Sequence, residues 1–209
     1  MSRVERKRNK PIIGLVGGIG AGKSSVASIL ESLGAAVIDS DRLTHDELRD
    51  AEVIATLRTW WGARVCPDEG SVDRQAVASI VFDDPAELTR LEALLYPRLA
   101  RRREELIRVY SADQAVVAIV LDAPKLYEAG LHRLCDAVIF VEADREVRLK
   151  RLATSRGWSE RQLRKRENLQ KSLDEKRAIA DYAIVNHSAV ADLRPAVERV
   201  LAAVLASFS

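Results

Sequence analysis

The segment Gly17-Gly18-Ile19-Gly20-Ala21-Gly22-Lys23-Ser24 fits the pattern G-x-x-x-x-G-K-[ST] without a gap or substitution. It follows an apolar run at residues 12–16, so a strand, a glycine loop and a helix start come in the order of a phosphate-binding loop. Glycine reaches backbone angles that are closed to residues with a Cβ, which lets such a loop turn its N–H groups inward around a phosphate. The segment therefore predicts a nucleotide phosphate site.

Two side chains at the end of this loop strengthen the prediction. Lys23 supplies a positive charge for the β- and γ-phosphates, and Ser24 offers a hydroxyl to Mg²⁺. The helix that begins near Lys23 adds the positive end of its dipole. We expect ATP with Mg²⁺ to bind here, and the residues predicted to contact the nucleotide are Gly18, Ile19, Gly20, Ala21, Gly22, Lys23, Ser24 and Ser25. A glycine-rich turn without a ligand is the alternative interpretation.

Asp39 and Asp41 follow a short apolar run at residues 35–38. The carboxyl ends of the strands in an open α/β sheet face the ligand crevice, and a two-residue spacing directs both carboxylates to one side. One of them would accept the proton of an acceptor hydroxyl and the other would help to hold Mg²⁺ through water. Asp41 lies further out and is the preferred base. The alternative is that either residue only caps a helix beginning near Arg42.

Asp122 follows another apolar run, at residues 115–121, where a Walker B carboxylate would lie. Its expected role is Mg²⁺ coordination through a water molecule, and the alternative is capping of the next turn, before Pro124. Glu128 follows on the next short helix, where its side chain faces either the crevice or solvent.

The elements that must position these residues alternate along the chain. Strands separated by helices predict an α/β fold with a doubly wound, mostly parallel sheet of the P-loop kinase type. The predicted strands are residues 12–16, 35–38, 115–121, 137–141 and 182–185, and helices are predicted at residues 24–33 and 190–205.

Two sections interrupt this alternation. Residues 42–110 have helical spacing throughout, with helices predicted at 51–61, 73–82, 85–96 and 97–110, which indicates a helical insertion beside the nucleotide site; the family resemblance described below implies that this insertion binds the acceptor. Residues 155–177 are rich in Lys and Arg and predict a helical lid that closes over the triphosphate, with a solvated helix surface as the alternative. The nucleotide-binding core would then comprise residues 11–41 and 111–205, and residues 1–10 would form a disordered basic tail.

Composition limits the partners. The chain has 209 residues and a net charge of +2, which gives no strong case for nucleic acid or an anionic membrane. No apolar run reaches the roughly 18 residues that span a bilayer. Cys66 and Cys135 have neither metal-site spacing nor the density of a disulfide framework, which suits a reducing cytosol. We therefore predict a cytoplasmic monomer or small homo-oligomer with no nucleic-acid or membrane partner.

Several segments, in order, resemble the dephospho-CoA kinase family. Residues 14–24 resemble its G-L-T-G-G-I-G-S-G-K-S, and Val37-Ile38-Asp39-Ser40-Asp41 resembles V-I-D-A-D. Residues 122–128 resemble D-x-P-L-L-F-E, and residues 180–186 resemble A-D-x-V-I-x-N. Smaller matches lie at residues 70–74, 81–82 and 157–170, so the resemblance covers about residues 11–205.

The resemblance implies ATP-dependent phosphorylation of the ribose 3′-hydroxyl of dephospho-CoA, the last step of coenzyme A synthesis. It implies Asp41 as the catalytic carboxylate, acting with Lys23. Beyond the loop, the nucleotide-binding residues that it implies are Arg151, Arg156 and Asn186. The acceptor-binding residues in this assignment are Asp39, Arg74, Tyr96, Glu128 and Arg166.

The sequence departs from the family pattern at a few positions. Tyr96 stands where the family usually has a His expected near the acceptor, and Lys125 replaces a Leu. Ser155 takes a place often held by Arg, whose charge the neighbouring Arg156 could supply. Two other functions stay open: another small-metabolite kinase on the same scaffold, and an ATP-binding regulatory module. The candidate base Asp41 favours an enzyme over a module, because a sensor needs no acceptor base.

Overall fold

The protein is described here by a computed structural model that covers residues 9–68, 70–187 and 190–208, without the side chains of 190–192. Most of the predicted basic tail therefore lies outside the described residues. The strands are β1 (Ile12–Gly17), β2 (Ala35–Asp39), β3 (Ala118–Asp122), β4 (Ala137–Glu142) and β5 (Tyr182–Val185). The α-helices are α1 (Lys23–Ser32), α2 (Ser40–Glu47), α3 (Ala51–Trp61), α4 (Arg74–Asp83), α5 (Pro85–Ala112), α6 (Arg145–Arg156), α7 (Glu160–Glu167), α8 (Leu173–Ala178) and α9 (Val190–Phe208).

The strands form one sheet in the order β2-β3-β1-β4-β5, and every pairing is parallel. The predicted doubly wound parallel sheet is confirmed. Strand β1 is buried along its whole length at the centre, as expected when helices cover both faces. From β1 the chain runs first to β2 and β3 on one side and then crosses to β4 and β5 on the other. The carboxyl end of β1 is therefore a topological switch point, where open α/β sheets bind ligands.

The chain divides into two compact units. The first comprises the described residues up to Asp39 and from Ile107 onward, and the second is Ser40–Leu106. In the first unit, helices α1 and α9 pack on the sheet, and their buried side chains include Val26, Leu30, Val197 and Leu201. Helical spacing in α1 and α9 gives each an apolar face, and these faces fix the helices against the strands that position the site.

The second unit has its own core of Leu48, Val53, Ile54, Leu57, Val65, Cys66, Val77, Leu91 and Leu95. Asp50 and Asp73 begin α3 and α4 by accepting hydrogen bonds from the first free backbone N–H groups. Arg98 of α5 forms ion pairs with Glu47 at 2.7 Å, with Asp50 at 2.6 Å and with Glu52 at 3.0 Å. Hydrogen bonds that its guanidinium donates to Glu47 and Glu52 raise the pKa of Arg98, so this fixed charge ties α5 to the end of α2 and the start of α3.

Two sequence predictions about this fold are wrong in detail. The helices predicted at 85–96 and 97–110 are a single helix, α5, with Pro97 inside it. A proline removes only one N–H from the helix, and here long helical stretches on both sides continue past it. Strand β3 begins at Ala118, three residues later than predicted, because the apolar residues Ala115 to Val117 belong to the connection that follows α5.

No helix in the described part of the chain combines the length and apolar character that crossing a membrane requires.

Candidate functional site

The glycines of the phosphate loop occupy positions where a side chain would not fit. Strand β1 leads into Gly17, at φ +149°, where a Cβ would lie 2.4 Å from the carbonyl oxygen of Val141. Gly22 has φ +90°, and a Cβ there would lie 2.2 Å from Nδ2 of Asn186. Both distances are far below contact distance, so the loop fold depends on glycine at these two positions. The sequence pattern and the local geometry therefore agree on a phosphate-binding loop.

Lys23 begins α1 with its ammonium held loosely at the mouth of the loop. Its Nζ donates long hydrogen bonds, of 3.4 Å each, to the carbonyl oxygens of Gly17 and Gly18. Burial lowers the pKa of Lys23 below its usual value, and the nearby Asp122 partly offsets this effect. An ammonium that is desolvated and weakly hydrogen-bonded is suited to binding an anion, such as a terminal phosphate.

Asp39 and Asp122 lie opposite each other at the ends of β2 and β3, and Asp122 also lies opposite Leu15 of β1. Ser24, in the first turn of α1, is exposed. These oxygen donors suit Mg²⁺, which proteins usually hold through one or two carboxylates together with substrate phosphates and water. The described residues contain no group of three or more His, Cys, Asp or Glu side chains placed to hold a metal ion by themselves. The oxygen atoms of Asp39, Asp122 and Ser24 therefore fit a Mg²⁺ ion that binds together with a nucleotide.

Three side chains hold the loop by its carbonyl groups. Asn186, after β5, is 5% exposed, and its Nδ2 donates a hydrogen bond of 2.8 Å to the carbonyl oxygen of Ala21. Arg151 donates to the same oxygen at 3.3 Å and to Oδ1 of Asn186 at 3.1 Å. Arg148 donates to the carbonyl oxygen of Ile19 at 3.3 Å. Two of the predicted nucleotide-binding residues, Asn186 and Arg151, thus contact the loop itself.

Glu128 is largely buried, with 15% of its side chain exposed, and lies in a turn rather than on the predicted short helix. Its Oε1 accepts hydrogen bonds from Nζ of Lys176 at 3.0 Å and from the backbone N–H of Lys171 at 2.9 Å. Burial alone would raise the pKa of Glu128, but hydrogen bonds from backbone amides and from the Lys176 ammonium lower it below the usual value. Lys176 is 2% exposed and also donates to Oε1 of Gln170 at 2.8 Å. Glu128 therefore anchors the start of α8 to the loop that follows β3.

The predicted lid section contains α7 and α8, each beginning with a capping box, at Ser159 and Ser172. The guanidinium groups of Arg156 and Arg166 lie 5.1 Å and 3.9 Å from the ring centre of Trp158. Both arginines are exposed, and their assigned contacts with nucleotide and acceptor stay predictions. The cation–π contacts bring two positive charges to the same aromatic side chain.

The second unit carries the remaining predicted residues. Asp41 is exposed in the first turn of α2, and Arg74 begins α4 with its Nη1 3.3 Å from Nδ1 of His45. Tyr96 is 53% exposed, and its hydroxyl donates a hydrogen bond of 2.6 Å to Oε1 of Glu92 on the same helix. Partial burial and this bond raise the pKa of Tyr96 to about 12, so its hydroxyl keeps its proton at neutral pH.

Sequence reasoning missed Arg148 and Glu167 and treated Lys176 as one of many lid cations. The structure makes Arg148 and Lys176 the most buried cations beside the loop, with 3% and 2% exposure. The one sequence signal for Arg148 is its spacing of three residues from Arg145 and from Arg151, which places all three near one face of α6. That spacing cannot distinguish a buried arginine from an exposed one.

Comparison with known proteins gives one consistent answer. The family model described as dephospho-CoA kinase matches residues 11–192. A dephospho-CoA kinase of Thermobifida fusca is 36% identical over 189 residues, which cover 90% of this chain and 93% of the relative. A dephospho-CoA kinase of Mycolicibacterium paratuberculosis is 38% identical over 182 residues, or 87% of this chain, but this chain spans only 44% of that longer relative.

Among solved structures, the crystal structure of TT1252 from Thermus thermophilus superposes with a TM-score of 0.78. It is 32% identical in sequence, and the match covers 96% of this chain and 98% of that protein. The similarity therefore extends over both units of the chain and is not confined to the phosphate loop.

Proposed function

The chain belongs to the dephospho-CoA kinase family, and on this premise we propose that it transfers the γ-phosphoryl group of ATP to the 3′-hydroxyl of the ribose of dephospho-CoA. The product is coenzyme A, and the reaction is the final step of its synthesis. In this reaction the acceptor oxygen forms a bond to the γ-phosphorus while the bond between that phosphorus and the β,γ-bridging oxygen breaks. ADP leaves, and the proton of the hydroxyl goes to a base.

The observation that carries this proposal is the state of Lys23. Its ammonium is desolvated at the mouth of a glycine loop, and within the described residues its hydrogen bonds are the two of 3.4 Å to loop carbonyls. Transition-state charge in phosphoryl transfer is spread over the phosphoryl oxygens, so catalysis rests on positioning and on fixed positive charge. Among the described residues, Asp122 acts on the charge of Lys23 from a distance. A terminal phosphate at the loop would give Lys23 an anionic partner in direct contact.

ATP is the phosphate donor of this kinase family. The proposed nucleotide contacts are the N–H groups of the loop, with Lys23 at the β- and γ-phosphates and Arg151 and Arg156 at the side of the lid. Mg²⁺, held by Ser24 and through water by Asp122, would neutralise charge on the phosphates when it is bound. Asn186 would act in nucleotide binding by way of Ala21, whose carbonyl oxygen it holds.

Asp41 is the proposed base for the acceptor hydroxyl. Support comes from its exposure and from its place two residues after Asp39, the last residue of β2. A positioned carboxylate that accepts a proton in the transition state contributes roughly 10²–10⁴-fold to the rate. The proposed acceptor-binding residues are Asp39, Arg74, Tyr96, Glu128 and Arg166.

The remaining assignments follow from the same premise. Residues 42–110 are proposed to bind the coenzyme A precursor, residues 155–177 are proposed to act as the lid, and residues 11–41 with 111–205 are proposed to form the nucleotide-binding core. We place the protein in the cytoplasm, as a monomer or small homo-oligomer, with no nucleic-acid or membrane partner.

A direct assay tests the function. The purified protein is incubated with ATP and Mg²⁺, with and without dephospho-CoA, and ATP consumption is measured through a coupled reaction. Mass spectrometry identifies coenzyme A, and phosphorus NMR locates the added phosphate on the ribose. Parallel reactions with shikimate, gluconate and AMP test other small-metabolite kinase activities.

We expect ATP consumption that depends on dephospho-CoA and yields one molecule of coenzyme A for each ADP. Phosphorylation of another acceptor in place of dephospho-CoA would make the protein a different small-metabolite kinase. ATP binding without turnover on any acceptor would favour the regulatory module.

A further inference from the structure

Arg148, on α6, packs directly against the phosphate loop. Its side chain is only 4% exposed, and its Nη1 donates a hydrogen bond of 3.3 Å to the carbonyl oxygen of Ile19. A Cβ built on Gly18 would lie 2.8 Å from the same Nη1, so the absence of a side chain at Gly18 is what lets the guanidinium approach the backbone. The loop and Arg148 therefore fit together at the start of the glycine segment.

The contact lies on the carbonyl side of the loop. In a trans peptide plane the C=O and the N–H point in opposite directions, so the carbonyl of Ile19 and the N–H of Gly20 are fixed together. By holding the Ile19 carbonyl, Arg148 directs the Gly20 N–H away from itself. That N–H belongs to the set of loop amides that would surround a phosphate. Arg148 thus sets the orientation of one phosphate-binding amide without occupying the phosphate site.

Glu167 connects this arginine to α7. It is the last residue of that helix, and its Oε1 lies 2.5 Å from Nη1 of Arg148 while its Oε2 lies 3.1 Å from Nη1 of Arg145. A carboxylate at a helix C-terminus meets the negative end of the helix dipole, so its place here depends on the two guanidinium groups. These residues line, with Gly18 and Ile19, a cavity of about 220 Å³. The end of α7 and the phosphate loop are therefore joined through one arginine.

Burying the charge of Arg148 beside Glu167 is an energetically unfavourable way to stabilise a fold. In the described part of the chain, Nε of Arg148 is buried without a hydrogen-bond partner. Leaving a buried donor unpaired costs about 1–3 kcal/mol, and a buried ion pair is often no better for stability than apolar side chains of similar volume. A methionine at this position would fill the space without that cost. The charge of Arg148 therefore points to a role in binding or catalysis.

We propose that Arg148 is a positioning residue for phosphoryl transfer, which fixes the Ile19–Gly20 peptide of the phosphate loop, and that Glu167 makes this orientation depend on the position of α7. When α7 is in place, Glu167 holds Arg148 against the loop; when α7 moves away, the guanidinium loses its carboxylate and the loop loses a fixed donor. The catalytic part of this inference rests on the proposed function, whereas its effect on nucleotide binding does not.

The test compares two substitutions on the same helix. Glu167→Gln removes the carboxylate that pairs with both Arg145 and Arg148. Glu160→Gln, the control, removes a carboxylate that pairs with Arg145 at 3.2 Å. The affinities of both variants for ADP and for AMP are measured by competition against a fluorescent ATP analogue. ADP reports on the loop because its β-phosphate binds there, whereas AMP reports on the rest of the nucleotide site.

For Glu167→Gln we expect about tenfold weaker ADP binding, in the range of energetic coupling through a contact network, with AMP binding unchanged. Glu160→Gln should bind both nucleotides like the wild type. Arg148→Lys should weaken ADP binding similarly, because a lysine keeps the charge but ends one bond short of the Nη1 that contacts both Ile19 and Glu167. In an Arg148→Met background, Glu167→Gln should have no further effect.

The proposal fails if Glu167→Gln leaves ADP binding unchanged, or if ADP and AMP binding weaken equally, since an equal loss indicates a general structural change. It also fails if Glu160→Gln has the same effect as Glu167→Gln. A wild-type protein that binds ADP but does not phosphorylate dephospho-CoA would contradict the proposed function only, and the comparison of the two variants would still decide this inference.

Discussion

The side-chain amide of Asn186 donates a hydrogen bond of 2.8 Å to the carbonyl oxygen of Ala21, 165 positions earlier in the chain. The bond ties the end of β5 to the phosphate loop, and it is possible only because Gly22 has no Cβ in the space that the amide occupies. The loop geometry is thus maintained from outside the motif, by a residue that the glycine pattern does not include.

Substituting Gly22 tests this dependence. Gly22→Ala should abolish detectable ADP binding, because its Cβ would lie 2.2 Å from Nδ2 of Asn186 at a backbone φ of +90°. Gly130→Ala is the matched control: φ is +71°, but a Cβ there meets no atom within 4 Å. The control should bind ADP normally and lose only about 1–2 kcal/mol of unfolding free energy, from backbone strain. Calorimetric titration and urea unfolding give both quantities, and similar ADP affinities for the two variants would contradict the steric argument.

The parts of the site that sequence could predict are those defined by local chemistry. The residues from Gly17 to Ser24 form one short loop whose pattern fixes both backbone and function. The parallel sheet was also predictable, because continuous apolar runs indicate strands that are buried on both faces. In contrast, Arg148 and Lys176 lie in segments rich in charge, where nothing in the sequence separates the buried cations from the exposed ones.

Long-range packing also decided the errors in element boundaries. A proline usually indicates a helix end, yet α5 continues through Pro97. The buried Leu91 and Leu95 lie before that proline, and Arg98 pairs with three carboxylates just after it, so tertiary contacts hold both sides in one helix. Such contacts join residues that are tens of positions apart, and local propensity carries no information about them.

Asp41 is predicted to act as the base, so its substitution should affect turnover more than binding. Asp41→Asn should lower kcat by about 10²–10⁴-fold and leave ATP affinity within about twofold, since the amide keeps the shape but cannot accept the proton. Asp46→Asn, an exposed change on the same helix α2, is the control and should retain full turnover. Steady-state kinetics and calorimetry with ATP separate the two effects. A parallel loss of turnover and ATP affinity would instead assign Asp41 a structural or metal-binding role.

Glu128 should contribute to stability in a pH-dependent way. Its pKa in the folded protein is below the usual 4.5, so the contribution of its carboxylate is present above about pH 4.5 and is lost as the pH falls through the folded pKa. The difference in unfolding free energy between the wild type and Glu128→Gln should therefore be constant near neutral pH and shrink in acid. Lys176→Met should make this acid loss smaller, because without the ammonium burial moves the folded pKa of Glu128 up toward that of the unfolded chain. Urea unfolding at a series of pH values measures this; a difference that is independent of pH would contradict it.

Lys23 should be required for turnover and unfavourable for stability. Lys23→Met should lower kcat at least 10²-fold, because one preorganised charge at the phosphates is worth about 3 kcal/mol in the transition state. In the absence of nucleotide the same variant should be about 1 kcal/mol more stable at neutral pH, since it no longer buries an ammonium held by bonds of 3.4 Å.

The stability difference between wild type and Lys23→Met should also depend on pH. Burial lowers the pKa of Lys23, so between the folded pKa and 10.5 the unfolded wild-type chain binds more protons than the folded one. The wild type should therefore gain stability relative to the variant as the pH rises through that window. Lys150→Met, at an exposed position of α6, is the control and should change neither property. Turnover in Lys23→Met within a few-fold of the wild type would rule out the assigned role of the ammonium, and a loss of stability would show that its bonds to the loop outweigh its burial.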